Sequence, residues 1–316
     1  QKGDNVIGYD QRKSYVTNLL NQDGIKVVHT LDEITYKPES LYIYSSAIPI
    51  ESDRFEDFHD KENVLSRPEY LKNLSENHKI IGITGTHGKT STTALLSHIF
   101  HFNNVNVSYL YGGITTFNGI GGHYGDPDQP LILETDEAFN TFEKIKISDL
   151  LVLNVDSDHL DYFKNLDNYK DAFYKVMKNV TDNLVINNDD LNIKSMKELK
   201  NPVSYGKDIA ADFKVQSPGT FIYENNKYEI KSDIIGDHFK ANMLGAIILA
   251  LLNGIEIKDS LNAIESFAGV KRRIELIGIS KGVLIYDDYG HHPTEMEATI
   301  TALKQQTESK LYVVFQ

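Results

Sequence analysis

The 316-residue chain contains no cysteine. That excludes disulfides, thiol nucleophiles and cysteine-type metal sites, and it is compatible with a reducing cytoplasm. Long apolar runs are also missing, since no stretch approaches the roughly 18 residues of a membrane span. Positive charge is scarce: 32 Lys and Arg stand against 45 Asp and Glu, for a formal net charge of −13. Such a balance argues against nonspecific nucleic-acid binding and against an anionic membrane surface, while a local basic pocket for phosphates is still allowed. The opening QKGDN has no apolar signal region, so nothing in it directs export and the expected location is the cytoplasm. What is present is ordinary for globular cores, 41% hydrophobic and 24% charged. The length suggests two domains or three small ones.

One stretch organises the rest, KIIGITGTHGKTSTT at Lys79–Thr93. An apolar strand enters a glycine-bounded loop and continues as a helix with Lys89 near its first turn. In that layout backbone N–H groups of the loop and helix N-terminus face a phosphate, and the lysine adds a point charge. The commoner pattern has a glycine five residues before Gly88, where this chain has Ile83. What remains is the tighter form Gly85-x-x-Gly88-Lys89-Thr90. The expected phosphate-binding set is therefore Gly85, Thr86, His87, Gly88, Lys89, Thr90 and Ser91, with an ordinary β–α turn as the bland alternative.

Around that loop the pattern is α/β and multi-domain. Residues 1–75 alternate strands at Asn5–Tyr9, Gly24–Val28 and Leu41–Ser45 with a helix through Tyr15, Leu19 and Leu20. This reads as a partial Rossmann-like domain that starts on its second strand, so the native N-terminus is expected upstream. A helix opening at Arg67-Pro68 serves as linker. Beyond it, strands at Lys79–Thr84, Val107–Tyr111, Leu131–Glu134, Asp149–Val155 and Leu184–Asn187 are apolar on both faces, as in the middle of a parallel sheet. Helices are expected at Thr90–Phe102 and Leu166–Val180. Residues 203–235 read as a small antiparallel patch at the sheet edge. An amphipathic helix Phe239–Leu252 and a helix Ser260–Phe267 follow. Strand Val283–Tyr286, helix Glu295–Gln305 and strand Leu311–Phe315 read as a further domain that is started and expected not to be completed here. The expected domains are 1–75, a central P-loop ATPase at 76–277, and 278–316.

Carboxylates gather at the ends of the central strands, where ligands collect in parallel sheets. Glu134 terminates one strand and opens Glu134-Thr135-Asp136-Glu137, placed to hold a Mg²⁺ that bridges nucleotide phosphates, unless the run is only a solvated turn. His159 lies among acids after the next strand and suits a second cation or a phosphoryl oxygen. Lys271-Arg272-Arg273 offers guanidinium forks for phosphate or carboxylate, against a helix-end charge cluster. Asp287–Pro293, with Asp288 and His291, suggests contacts to nucleotide or substrate across a cleft, against a structural loop; its paired Asp and paired His also suggest a metal, but adjacent His291 and His292 cannot share one helix face.

Taken together, GTHGKTSTT, ETDE, VLNVDSDHLDYF, GVKRR, DDYGHHPTE and the closing VVFQ resemble the Mur ligase family of cell-wall enzymes. The likeness runs in the family's motif order through nearly the whole chain. It implies an N-terminal UDP-sugar domain, a central ATPase and a C-terminal Rossmann-like domain. The implied activity is ADP-forming and Mg²⁺-dependent: ATP phosphorylates the carboxylate of UDP-N-acetylmuramate, and the amine of L-alanine displaces phosphate. By the same resemblance Thr90 and Glu134 hold one Mg²⁺, His159 holds or approaches a second, and Asn242 contacts adenine. Arg273 contacts substrate or phosphate, and Asp288 and His291 the nucleotide, with Lys89, His159, Arg273 and Asp288 as the catalytic set. Two departures stand out: Phe239 follows His238 where the family carries an amide, and the glycine turn for the UDP group is absent. With most of the C-terminal domain also absent, the 316 residues alone are expected to be inactive. Murein-tripeptide recycling onto the same UDP-sugar, or a nucleotide-binding module without ligase chemistry, are the alternatives. No sign of oligomeric state is legible.

Overall fold

The computed structural model describes residues 3–115, 119–158, 160–196 and 199–315. It divides into two units, residues 1–78 with 144–146, and residues 79–143 with 147–316.

In the first unit β1 (Ile7–Tyr9) and β2 (Lys26–Val28) pair in parallel and are connected through α1 (Tyr15–Gln22). A second parallel pair is formed by β3 (Tyr42–Tyr44) and β4 (Val64–Ser66), the latter a strand that the sequence reading omits. The helix α2 (Arg67–Asn77) begins with a capping box. Ser66 Oγ accepts from Glu69 N, the Glu69 carboxylate accepts from Ser66 N at 2.8 Å, and Pro68 occupies the first turn. Two otherwise orphaned N–H groups are thereby satisfied.

The second unit is built on one sheet. Its strands are β5 (Ile80–Thr84), β6 (Ser108–Thr115), β7 (Gly119–His123), β8 (Leu131–Glu134), β9 (Asp149–Val152), β10 (Asn183–Asn187), β11 (Val203–Gly206), β12 (Phe213–Ser217), β13 (Thr220–Tyr223) and β14 (Asn226–Glu229). They lie in the order β14-β13-β12-β11-β10-β9-β5-β8-β6-β7. Pairing is parallel from β12 through to β6 and turns antiparallel only toward the two edges. The antiparallel patch expected over 203–235 is thus confined to β12–β14, because β11 joins both neighbours in parallel. Every residue of β5 is buried, which is why its sequence is apolar on both faces. Its register sets Ile83 opposite Glu134 and Thr84 opposite Val152, so three strand ends meet at one level.

Helices α3 (Lys89–Phe102), α4 (Leu160–Phe163), α5 (Leu166–Lys178), α6 (Leu191–Lys194), α7 (Asp237–Leu252) and α8 (Ile257–Ser266) accompany this sheet. Of these, α7 corrects the expectation of an amphipathic helix. Every residue from Asn242 to Ala250 is buried, against β9, β10 and β11 on one side and α3 and α8 on the other. A helix enclosed on all sides is apolar on all sides.

After Arg273 come β15 (Glu275–Ser280) and β16 (Val283–Asp287), an antiparallel hairpin, and then α9 (Pro293–Gln305). Leu311–Phe315, expected as a strand, forms none. Tyr312, Val314 and Phe315 are instead largely exposed, with no neighbouring strand among the described residues to accept their backbone bonds.

Candidate active site

The loop after β5 is shaped by two glycines. Gly85 has φ +143° and Gly88 has φ +86°, both in the region that side chains avoid. At Gly88 an added Cβ would also run into the Asn242 amide, so the loop and the start of α7 depend on that missing atom. Asn154, two residues beyond β9, braces the loop. Its Oδ1 accepts from His87 N at 2.8 Å, its Nδ2 donates to His87 O at 2.9 Å, and its carbonyl accepts from Thr86 N at 3.2 Å. This explains why the strand expected to run to Val155 ends at Val152: Asn154 leaves the ladder to hold the loop. With the Thr86 and His87 amides engaged, the donors left to face an anion are those at the N-terminus of α3. There the first N–H groups have no intrahelical partner.

Lys89 is held from below. Its Nζ donates to both oxygens of Glu137, at 2.9 and 2.8 Å, and to Gly85 O at 2.7 Å. Glu137 is fully buried and also accepts from Tyr169 OH at 3.4 Å, and Tyr169 OH lies 3.0 Å from Thr86 Oγ1. Burial drives the Glu137 carboxyl above the usual range, and Lys89 is the main influence pulling it back.

Beside the lysine, Thr90 Oγ1 donates to Glu134 Oε1 at 2.9 Å, and Gly112 N donates to Glu134 Oε2 at 2.7 Å. This pair fits a Mg²⁺ ion. Hydroxyl and carboxylate are hard oxygen donors, and adjacent ligands of an octahedral ion with bonds near 2.1 Å lie about 3 Å apart. His159, expected to join them, lies outside the described residues.

A second cluster centres on the His87 side chain. Its Nδ1 lies 3.2 Å from Glu295 Oε1 and its Nε2 3.3 Å from Asp156 Oδ2, with the His292 ring 5.0 Å away. Burial disfavours the imidazolium, but the two carboxylates outweigh it and raise the His87 pKa. Glu295 is brought down to about 2, burial being overcome by the His87 ring, the His291 N–H and Arg273.

Not all of the expected residues converge on the loop. Asn242 touches Gly88, and Arg273 lines a small pocket together with Ser91, Phe239 and Asn242. Arg273 also lies over the Tyr289 ring, 5.1 Å from its centroid. The Asp288 carboxylate accepts from Ile274 N and Gly290 N, each at 2.8 Å, which organises the turn before α9. His291 is exposed, with Nδ1 3.4 Å from Tyr289 O, and its neighbour His292 is the one facing the loop. Sequence reasoning missed individual roles for Glu137, Asn154, Tyr169, His292 and Glu295. Glu137 lay in ETDE, Asn154 in VLNVDSDHLDYF, and His292 and Glu295 in DDYGHHPTE, while Tyr169 carried no signal.

A largely parallel sheet with a lysine-bearing phosphate loop at the end of its central strand is the frame of a P-loop nucleotide-binding protein. The profile described as Mur ligase middle domain matches residues 83–250, and that described as Mur ligase, glutamate ligase domain matches residues 272–316. The chain belongs to the Mur ligase family. It is 35% identical to UDP-N-acetylmuramate–L-alanine ligase from Clostridium botulinum, over 98% of this chain and 71% of the relative. To the protein of the same name from Caldicellulosiruptor saccharolyticus it is 34% identical, over 98% of this chain and 72% of the relative. The crystal structure of UDP-N-acetylmuramate-alanine ligase from Thermotoga maritima shares the fold, with a TM-score of 0.82 and 24% identity. That match covers 97% of this chain and 73% of the other.

Proposed function

We propose that this protein is an ADP-forming ligase that joins L-alanine to the carboxylate of UDP-N-acetylmuramate in peptidoglycan synthesis, in the cytoplasm. The observation that carries this reading is the 35% identity to a ligase of that name along 98% of the chain. Among the described residues no helix is long and apolar enough to cross a membrane. Residues 1–75 take the UDP-sugar, residues 76–277 the ATP, and residues 278–316 belong to the domain that covers the nucleotide.

In this reaction the substrate carboxylate attacks the γ-phosphorus of ATP, releasing ADP and leaving an acyl phosphate. The amine of L-alanine then attacks the acyl carbon, the amide forms, phosphate departs and the amine proton passes to solvent. Lys89 exchanges Glu137 for phosphate oxygens, and the N–H groups of Gly88, Lys89, Thr90 and Ser91 add fixed donors that need no reorganisation. Thr90, Glu134 and His159 would hold Mg²⁺, whose chemistry when bound is to neutralise charge on the phosphate oxygens. Arg273 receives the anionic substrate or the phosphate. Asn242 meets the adenine beside Phe239, whose ring lies 4.3 Å from that of His238 and extends the apolar wall of the cavity. Asp288 sets the turn that presents His291 to the nucleotide.

The test is ADP release with ATP, Mg²⁺ and UDP-N-acetylmuramate, comparing L-alanine with murein tripeptide. With residues 1–316 alone expected to be nearly inactive, the expected result is slow ADP formation that requires both the UDP-sugar and L-alanine, with product mass increased by one alanyl residue. ADP formation indifferent to both substrates refutes a ligase, and preference for the tripeptide refutes the alanine assignment.

A further inference from the structure

We infer that His87, Asp156 and His292 form a binding site for a divalent cation of the Zn²⁺ class, separate from the Thr90–Glu134 pair. Among the described residues these are the one group of His, Cys, Asp and Glu side chains whose donor atoms all lie within 4.8 Å of one another. They converge from three segments: the phosphate loop, the run beyond β9, and the N-cap of α9. The His87 Nε2 to Asp156 Oδ2 distance is 3.3 Å. Tetrahedral bonds near 2.0 Å place neighbouring ligands about 3.3 Å apart.

The surroundings are those of a prepared site. Glu295 Oε1 sits 3.2 Å from His87 Nδ1, so the Nδ1–H donates outward and Nε2 is left to face Asp156 and His292. A carboxylate behind an imidazole fixes the tautomer and makes the ring a better ligand. The Asp156 carboxylate is itself oriented, by Thr294 Oγ1 at 2.7 Å on one oxygen and Ser157 N at 2.7 Å on the other. A cation entering here takes the place of the direct contact between His87 Nε2 and Asp156. His292 bears the opposing cost. Its Nδ1 accepts the N-cap bond from Thr294 N at 3.3 Å, and that bond is lost whichever ring nitrogen takes the metal. Two imidazoles among three ligands select Zn²⁺, Co²⁺ or Ni²⁺ over Mg²⁺, which prefers oxygen. The bound ion ties the phosphate loop to α9 and leaves a fourth position for water or an anion.

The test is titration of the metal-free protein with Co²⁺ in millimolar Mg²⁺, followed by visible absorption, with Zn²⁺ as competitor and thermal melting in parallel. One equivalent of Co²⁺ with an intense tetrahedral spectrum, displaced by Zn²⁺ and accompanied by a rise in Tm, is expected. His292→Ala and Asp156→Asn should each abolish that equivalent. Glu295→Gln should weaken it by about 10- to 100-fold. His123→Ala, at the separate His101–His123 ring pair, should leave it intact. Because His292 is an N-cap side chain outside the core, the metal-free Tm of His292→Ala checks that the fold survives. The same spectrum in His292→Ala, loss in His123→Ala, or displacement by Mg²⁺ overturns the assignment.

Discussion

Replacing Lys89 by Met tests whether the phosphate-loop lysine is also a structural cation in the nucleotide-free protein. Its partner Glu137 has a side chain only 1% exposed, and both carboxylate oxygens lie on Nζ, at 2.9 and 2.8 Å. Removing one member of such a pair strands a buried charge, at a cost of about 3–5 kcal/mol. For a unit of this size each kcal/mol lowers Tm by about 2–4 °C, so the drop should be about 6–20 °C. The loss should depend on pH in a definite direction. Glu137 is already held above the usual carboxyl range, by burial first, with Lys89 opposing. Without Lys89 it rises further, and an acid with a raised folded pKa destabilises the fold only where it must ionise. The penalty is therefore small below the ordinary carboxylate pKa and grows as pH rises toward the folded value, making the Tm deficit larger at pH 8 than at pH 5. Lys89→Met/Glu137→Gln removes the stranded charge and should recover most of the stability while still failing to bind ATP. Melting by circular dichroism at the two pH values, with calorimetric titration of ATP, measures all of this. A Lys89→Met protein within about 2 °C of wild type at pH 8, or a double variant no more stable than the single, would refute the reasoning.

Gly88→Ala should abolish ATP binding and lower Tm, because φ +86° and the Asn242 amide both oppose a Cβ. Asn242→Ala in the same chain should recover part of the stability, which melting curves will report. Asn154→Ala removes two side-chain bonds to His87, at 2.8 and 2.9 Å. With each bond worth about 1 kcal/mol, ATP affinity should fall about 10- to 30-fold by calorimetry. Ser66→Ala breaks the capping box of α2 and should cost about 1 kcal/mol. Faster amide exchange confined to the first turn of that helix would register it, with ATP affinity unchanged.

How far the chain could be read in advance depended on whether the signal was local. Strand β8 was legible to the residue, because Leu131–Glu134 is a short apolar run with a turn on each side. The phosphate loop was legible because two glycines, a lysine and a preceding strand lie within fifteen positions of one another. The Thr90–Glu134 pairing was implied only by the family resemblance; in the fold the contact exists because parallel neighbours bring their carboxyl ends level. Helix α7 misled because Asp237, His238 and Lys240 supply a polar start, while its burial is decided by sheet strands from elsewhere in the chain. The capping box at Ser66–Glu69 was visible and unused. Asn154 and Glu295 are different in kind. Asn154 acts only because β9 neighbours β5, and Glu295 meets His87 across 208 positions. No spacing rule reaches that far.

Glu137 shows what such long-range contacts add to the chemistry. Read locally, ETDE offers three carboxylates, of which Glu134 is singled out by its place at the strand end and Glu137 has no assigned part. In the fold Glu134 turns toward Thr90 and the backbone of Gly112, while Glu137 is sealed beneath Lys89 with Tyr169 and Thr86 around it. On the proposed function, one carboxylate would face the ion that accompanies a nucleotide, and the other would hold Lys89 in the place a phosphate would take. An anion arriving at α3 need not create a cationic site from a solvated lysine, since Nζ is already desolvated and points into the loop. It has only to outcompete a single carboxylate, which by burial is disposed to take up a proton once Lys89 leaves. The pair keeps the loop preorganised, and proton uptake by the protein on ATP binding, measured in buffers of different ionisation enthalpy, is the signature it should leave.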